Sequence, residues 1–280
     1  TPTKVDRNVE VETTLGGSGK VNISQGASFA MNFADDATTG EGFTFDRGTE
    51  GGGVFRQMGE GTTTVTKALK PTGGTFVDAG TLKFTDEGGV NADSIITLAS
   101  GAILEIGYTD GQTHDLNYSV IGAGGNFIKT GDSTLTIDAA GTENVFTWTG
   151  DSIVKGGVVD VKSYSEHQTV TGQHTIQVSA EDADLEARLR VSGTFGAQRT
   201  LLAEGAKEGS TSTLEIYGVE FKTTNLQRSA TSTNASAQVI IDSPDAQHIG
   251  TLAIELAQGS SSGSLLDSFD TSRASNADKI

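Results

Sequence analysis

The segment Val21-Asn-Ile-Ser-Gln-Gly-Ala-Ser-Phe-Ala-Met31 recurs further along the chain as Ile96-Thr-Leu-Ala-Ser-Gly-Ala-Ile-Leu-Glu-Ile106, with the apolar residues, the Gly and the Ala in the same places. Two other pairs of segments recur at similar offsets in the numbering: 53–55 with 125–127, and 80–84 with 157–161. We call this pattern the long repeat. A unit that recurs in this way cannot bury its apolar face alone and must stack on its neighbours. The chain is therefore predicted to be an elongated solenoid.

The composition favours one continuous body with a thin core. Among 280 residues there are 37 Gly, spread evenly, and only 3 Pro, so no boundary between domains stands out. Hydrophobic residues make up 35% and aromatic residues 6%, which is low for a globular domain. A long rod needs less core per residue than a globule does.

The net charge and the absence of cysteine exclude several classes of function. A formal charge of −17 argues against a nucleic acid or an anionic membrane as partner, because phosphate binding needs clustered Lys and Arg. With no Cys, the chain has neither disulfides nor thiolate metal ligands. No apolar run approaches the roughly 20 residues that span a bilayer, and the first residues lack a signal-peptide pattern, which is typical of a mature or excised fragment.

Apolar residues alternate with polar ones over short stretches, for example at Leu104 and Ile106 or at Leu135 and Ile137. This period of two predicts strands with one buried face. Clusters such as Gly51–Gly53 supply the positive φ angles that sharp corners require. The segment 181–190 has helix-favouring composition, but its apolar residues also alternate, so we predict a strand there.

The strands are predicted to be parallel and coiled. Asp110-Gly111 is the clearest hairpin signal, and it has no counterpart in the long repeat. A shorter spacing also recurs, from Leu104 to Phe127 and from Leu135 to Val159, and it suits one coil of a β-solenoid. We expect about a dozen coils, with about three in each unit of the long repeat, and a rod on the order of 55 Å long.

One β-helix is expected over residues 1–258, with repeat units at approximately 16–90, 91–166 and 167–258. The third unit has drifted, since 250–254 follows 157–161 at a larger offset than 214–216 follows 135–137. Such drift is expected at an end that caps the stack or carries insertions. Residues 259–280 lack alternation and are rich in Ser, Asp and Asn, so we expect a polar linker or tail.

The stretch Gly124-Gly-Asn-Phe-Ile-Lys-Thr-Gly-Asp-Ser-Thr-Leu-Thr-Ile137, with its continuation to Val161, resembles the passenger-associated repeat of autotransporters, the type V secreted proteins. That repeat reads approximately G-G-L-x-K-T-G-x-G-T-L-T-L, then N-x-Y-T-G-x-T, then x-x-G-x-L-x-V. Lys129-Thr-Gly131 and Leu135-Thr-Ile137 match it directly, whereas Phe146-Thr-Trp148 departs from the usual aromatic-Thr-Gly. An earlier copy begins at Gly52 and has Gln57-Met58 in place of Lys-Thr.

The resemblance extends from Gly52 to Val161 and implies an all-β, right-handed parallel β-helix. It also implies a location at the cell surface or outside a Gram-negative bacterium, with an outer-membrane β-barrel translocator outside this chain. The absence of Cys and the high acidity agree with export of an unfolded chain.

No catalytic, cofactor-binding or metal-binding residue is predicted. The histidines are His114, His167, His174 and His248, and they form no metal-ligand motif. Gly131-Asp-Ser133 is the nearest likeness to a serine nucleophile motif, but it lies inside the structural repeat. Gly16–Lys20 is followed by a strand pattern where a phosphate-binding loop needs a helix.

Two further residue types are interpreted structurally. The acidic pairs Asp35-Asp36, Asp86-Glu87 and Glu181-Asp182 are interpreted as solvated turns. The aromatic residues Phe127, Phe146 and Trp148 stand on the alternating register, which favours core packing over a sugar-binding platform.

The leading hypothesis is a non-enzymatic adhesin or self-associating module. It would bind a host glycan, a protein receptor or another copy through many weak contacts along the flank of the β-helix, promoting aggregation and biofilm formation. One alternative is a polysaccharide lyase or hydrolase, which would need clustered carboxylates and a base in a groove. Another is a stalk that promotes folding and secretion of a different module.

Overall fold

In the computed structural model, short strands wind into stacked coils, and every strand pair among the described residues is parallel. The structure describes residues 19–35, 40, 42–85, 87–92, 94–138, 144–163, 175–193, 195–228, 235–242 and 250–254. Within them, no helix is long and apolar enough to cross a membrane. The all-β, parallel β-solenoid expected from the repeat is confirmed.

The stacked strands form three walls, which we name the long, short and split walls. The long wall has ten strands: β3 (Phe43–Phe45), β6 (Thr62–Val65), β9 (Thr81–Phe84), β12 (Ile103–Ile106), β15 (Asn126–Lys129), β18 (Ser152–Val154), β20 (Thr175–Val178), β22 (Phe195–Leu202), β24 (Glu220–Arg228) and β26 (Thr251–Ile254). The short wall has six: β2 (Ser28–Met31), β5 (Val54–Gln57), β8 (Thr75–Val77), β11 (Ile95–Leu98), β14 (Ser119–Gly122) and β17 (Phe146–Trp148).

The split wall consists of two sheets that follow one another along the chain. The first has four strands: β1 (Val21–Asn22), β4 (Thr49–Gly51), β7 (Ala68–Pro71) and β10 (Gly89–Val90). The second has six: β13 (Thr113–Asp115), β16 (Thr134–Asp138), β19 (Gly157–Ser163), β21 (Glu186–Val191), β23 (Thr211–Tyr217) and β25 (Ser236–Asp242).

The ladder register confirms the predicted coil length. Leu104 pairs with Phe127, and Leu135 pairs with Val159, as the shorter spacing in the sequence predicted. The ten strands of the long wall differ a little from the expected dozen coils, within the described part of the chain. The right hand of the coil stays a prediction.

Inward side chains of successive strands stack into a continuous core. In the long wall, ladder partners Phe45, Val65, Phe84 and Ile106 lie directly above one another and are fully buried. Complete burial of one such side chain contributes about 1.5–3 kcal/mol. The core therefore grows by one layer with each coil, which is how a solenoid is stabilised.

Aromatic rings reinforce the core in two places. Near the N-terminal end, the Phe45 ring lies 5.6 Å from that of Phe29 and 5.8 Å from that of Phe55. Further along, Trp148 stacks on Phe127 at 5.1 Å and meets Phe146 edge-on at 6.3 Å. All three residues of the second group are buried, so their predicted role in the core is confirmed.

The long repeat does not stack upon itself. Its offset moves a segment on by ten strands, from β1 to β11, from β5 to β15 and from β9 to β19. With three strands per coil, ten strands amount to three coils and one additional wall. Corresponding segments therefore lie on different walls. One unit of the long repeat is one strand longer than the three coils expected from the sequence.

The cross-section of the solenoid changes after β17. Among the described residues, β17 is the last strand of the short wall, whereas the long wall continues through β20, β22, β24 and β26, and β21, β23 and β25 continue the split wall. The later strands are longer, up to nine residues in β24. In this part each coil has two described strands, where the earlier coils have three short ones. The third unit of the sequence therefore does not keep the offset that relates the first two.

The segment 181–190 follows the predicted alternation over most of its length. Residues 181–184 form turns, and β21 then places Ala187, Leu189 and Val191 inward with Glu186, Arg188 and Arg190 outward. The predicted strand is confirmed from residue 186 onward. The expected tail, 259–280, lies outside the described residues.

Candidate binding surface

Outward side chains form rows along each wall, because ladder partners lie one above the other. On the long wall one such row is Thr44, Thr64, Lys83, Glu105, Ile128, Ile153, Gln177, Leu201 and Gln227. This row contains polar, charged and apolar residues, and within it Lys83 Nζ forms an ion pair with Glu105 Oε1 at 2.6 Å. A wall of this kind offers a long surface on which a partner would make many small contacts.

The outer face of the short wall is partly apolar. Its central row is Ala30, Arg56, Phe76, Thr97, Ile121 and Thr147. Ile95 stands on the same strand as Thr97, β11, and Met58 directly follows β5. These are the two large apolar side chains that stand exposed among the described residues, at 48 and 45%. Exposed apolar side chains mark an interaction surface where they form a contiguous patch.

Arg56 lies in the central row of this face and is held in place from two sides. Its Nε and Nη2 donate to Asp78 Oδ2 and Oδ1, both at 2.7 Å. Its guanidinium carbon lies 4.7 Å from the centre of the Phe76 ring. Bidentate pairing together with stacking fixes the orientation of the guanidinium. Within the six described strands of this wall, Arg56 is also the only charged residue.

A second candidate surface is an ionic cluster on the split wall, where β21 and β23 meet. The Glu215 side chain is only 3% exposed although it points outward. It accepts from Arg188 Nη1 at 2.9 Å and from Arg190 Nη2 at 2.8 Å. Arg188 also donates to Glu186 at 3.0 Å, and Arg190 lies over the Tyr217 ring at 5.1 Å. The charges of this cluster are largely satisfied within the chain.

The environment of Glu215 acts in two opposing directions on its ionisation. Burial alone would raise the pKa of its carboxyl group, but hydrogen bonds and positive charge from Arg190 and Arg188 outweigh burial and lower that pKa below its ordinary value. The carboxylate therefore stays ionised at neutral pH. This arrangement is that of a structural clamp between neighbouring coils.

Replacing Glu215 with glutamine should lower the free energy of unfolding by about 1–2 kcal/mol at pH 7, because two arginines lose a charged acceptor. The folded-state pKa is lowered, so the stabilisation is present above the ordinary carboxyl range and is lost as the pH falls through the folded value. Urea denaturation of both proteins at pH 7 and pH 3 measures this. At pH 3 the difference should shrink. Glu60→Gln, at an exposed carboxylate, is the control, and an equal loss there would contradict the prediction.

Of the four histidines, the structure describes His114, since the other three lie outside the described residues. His114 is partly exposed, with Nε2 3.0 Å from both carboxylate oxygens of Asp110 and its ring 4.4 Å from that of Tyr108. This contact lowers the pKa of the Asp110 carboxyl, chiefly through the hydrogen bond. No group of three or more metal-ligating side chains occurs among the described residues.

The serine of the Gly131-Asp132-Ser133 motif is fully buried. Its hydroxyl has no hydrogen-bond partner among the described residues. The motif therefore serves a corner of the solenoid, as its place in the repeat predicted.

The acidic pairs of the sequence also lie at corners where the structure describes them. Asp35 accepts from the Thr62 backbone and hydroxyl, which holds one corner against the next coil. Glu181 and Asp182 are exposed in a turn, as predicted. The remaining acidic partners at positions 36 and 86 lie outside the described residues.

A bacterial autotransporter adhesin is similar in sequence to part of this chain. Over 149 residues, 53% of the chain, the sequence is 34% identical to the adhesin BmaC autotransporter of Brucella suis biovar 1. The matched region spans 4% of the length of that relative. No family model and no solved structure matches the chain. Together with the β-solenoid, this relative confirms the resemblance to autotransporter passengers.

Proposed function

We propose that this chain is part of an autotransporter passenger displayed at the surface of a Gram-negative bacterium, where it acts as an adhesin. The observation that carries the proposal is the pairing of an adhesin relative with a rod whose outward side chains form long rows. Rows of this kind supply many weak contacts, whose combined strength can replace that of a deep pocket. The partner would be a host glycan, a host protein or another copy of the chain.

The arrangement of charge supports binding along the walls more than catalysis. A glycan-cleaving enzyme on this fold needs two carboxylates poised across a sugar. Glu215 is instead clamped by Arg188 and Arg190, and Glu105 accepts from Thr130 at 2.8 Å and pairs with Lys83. These carboxylates are occupied in holding coils together.

Display of the chain on a non-adherent bacterium tests the proposal. Cells that carry it should attach to host cells or to immobilised glycans several times more than cells that carry the empty display scaffold, and purified chain should compete. Attachment equal to that of the scaffold, with the chain folded and protease-resistant at the surface, would overturn the proposal. Release of sugar products from a polysaccharide would instead favour the enzyme alternative.

A further inference from the structure

We propose that Asp110-Gly111 is a site of spontaneous isomerisation to isoaspartate, and that the fold slows this modification by holding both reacting groups. The inference goes beyond the proposed function and does not depend on it. Asp110-Gly111 is the single Asp-Gly pair in the sequence, which contains no Asn-Gly pair. In the structure it lies in the connection between β12 on the long wall and β13 on the split wall.

The reaction joins a side-chain carboxyl group to a backbone nitrogen. The amide nitrogen of Gly111 attacks Cγ of Asp110, and the carboxyl hydroxyl leaves with the amide proton as water, which closes a five-membered succinimide. Water then opens the ring at one of its two carbonyl carbons. Opening at the former backbone carbonyl gives isoaspartate, and opening at the other returns aspartate. Water is the sole co-reactant, and nothing is oxidised or reduced.

The first argument is access to the two reacting groups. The Asp110 side chain is 51% exposed, so solvent water reaches the ring that would form. Gly111 has a φ of +64°, and no atom lies within 4 Å of the position that its Cβ would take. No side chain therefore shields the nitrogen from the carboxyl group. The site is open to the reaction once the two groups can meet.

The second argument is that the carboxylate is held in place. His114 Nε2 lies 3.0 Å from both carboxylate oxygens of Asp110, and the Gln112 backbone N–H donates to Oδ1 at 3.0 Å. The His114 ring packs 4.4 Å from that of Tyr108, whose hydroxyl donates at 2.7 Å to the carbonyl oxygen of Gly88 on the preceding coil. These contacts also lower the pKa of the Asp110 carboxyl, chiefly through His114, which disfavours the protonated form that can lose its hydroxyl.

The third argument is that the nitrogen is held as well. The Gly111 N–H donates to Asp132 Oδ1 at 3.2 Å, on the following coil. Ring closure requires the nitrogen to turn toward Cγ of Asp110, so this bond must open first. A carboxylate is too weak a base to remove an amide proton, and the contact therefore restrains the nitrogen without activating it. Reaction in the folded chain depends on local opening of the connection.

Isomerisation would alter a connection that is fixed at both ends. Tyr108 is tied to Gly88 before the site, and Thr113 pairs with Thr134 after it. Isoaspartate adds one carbon to the main chain between these two anchors and moves the carboxylate away from His114. The modified chain should therefore be cut faster by proteases between residues 107 and 112.

Peptide mapping of the purified full chain tests the proposal. Folded protein and the same protein unfolded in guanidinium chloride are incubated at neutral pH, and electron-transfer fragmentation then quantifies isoaspartate at position 110. The unfolded chain should isomerise at least about tenfold faster, because the folded chain must first break the bonds to His114 and Asp132. In the folded state, His114→Ala and Asp132→Ala should each react several times faster than wild type. The matched control is Asp115→Ala, at an exposed carboxylate next to His114, which should react at the wild-type rate.

Circular dichroism and urea unfolding of each variant verify that the fold is retained. Absence of isoaspartate at position 110 in the unfolded chain would overturn the proposed site. Equal rates in the folded and unfolded chains would overturn the protection, as would unchanged rates in both His114→Ala and Asp132→Ala. A slower reaction in Asp132→Ala would make its carboxylate a base and contradict the third argument. Asp151-Ser152, where a side chain follows an exposed aspartate, is the internal comparison and should react more slowly than Asp110-Gly111 in the unfolded chain.

Discussion

Gly131→Ala is expected to lower the free energy of unfolding by about 3 kcal/mol or more. Gly131 has a φ of +72°, which costs an alanine about 1–2 kcal/mol. In addition, a Cβ at this position would clash with the carbonyl oxygen of Tyr108, in the backbone of the adjacent coil. The coils would have to separate locally, with loss of packing on both sides.

The control for this prediction is Gly101→Ala. Gly101 has a similar φ of +78°, but no atom lies within 4 Å of its added Cβ. This variant should lose only the conformational part, about 1–2 kcal/mol. Urea unfolding of both variants measures the difference. If the two lose the same amount, close stacking of the coils at residue 131 is not what requires glycine.

Lys129→Met is expected to destabilise the protein by about 2–4 kcal/mol at pH 7, since buried carbonyl groups would lose their donor. The Lys129 side chain points inward at the end of β15 and is completely buried. Its Nζ donates to the carbonyl oxygens of Thr130 at 2.5 Å, Gly131 at 3.3 Å and Gly156 at 3.4 Å. The amine thus ties its own corner to the corner of the next coil.

The effect of this substitution should depend on pH in a defined direction. Burial lowers the pKa of Lys129 to about 8, while the charges of Asp132, Asp110 and Glu181 act in the opposite direction. Because the folded pKa lies below the unfolded one, wild-type stability rises as the pH increases from about 8 to about 10.5. The gap between wild type and Lys129→Met should widen by up to about 3 kcal/mol over that range. Tyrosine ionisation is common to both proteins and cancels.

Two further variants make the Lys129 prediction specific. Lys129→Gln should lose less than Lys129→Met, because Gln57 already performs the same task at the end of β5, where its Nε2 donates at 2.9 Å to the carbonyl oxygens of Gly59 and Gly61. Lys162→Met, at an exposed position of β19, should change stability by less than about 0.5 kcal/mol. A gap between wild type and Lys129→Met that is constant from about pH 7.5 to about pH 10.5 would contradict the lowered pKa.

Local alternation proved a reliable guide to this fold. Leu104 and Ile106, or Ala187 and Leu189, point inward as their spacing predicted, because a strand turns successive side chains to opposite faces whatever its surroundings. The coil length was also readable, since Leu104 pairs with Phe127. The correspondence between Gln57 and Lys129 was visible as a departure from the repeat, but their shared task as buried donors was not.

The candidate surface was much less predictable than the fold. The ionic cluster around Glu215 lies in the third unit, whose drift the sequence showed. The apolar face of the short wall was missed. Ile95 and Phe76 belong to different coils, and only the ladder that pairs Ile96 with Thr75 brings their strands side by side. A row of outward residues that takes one residue from each coil leaves no pattern within a short stretch of the sequence.

The sequence by itself determined that this chain is a stack of parallel strands with glycine corners, because alternation and corner conformation are local properties of the backbone. Only the tertiary structure decided which wall each strand joins. The long repeat moves on by ten strands, so its copies lie on different walls, and no described strand after β17 joins the short wall. The reason is that an inward residue meets the same apolar core on every wall. The wall that a strand joins depends instead on the combined length of the strands and corners that precede it in the coil.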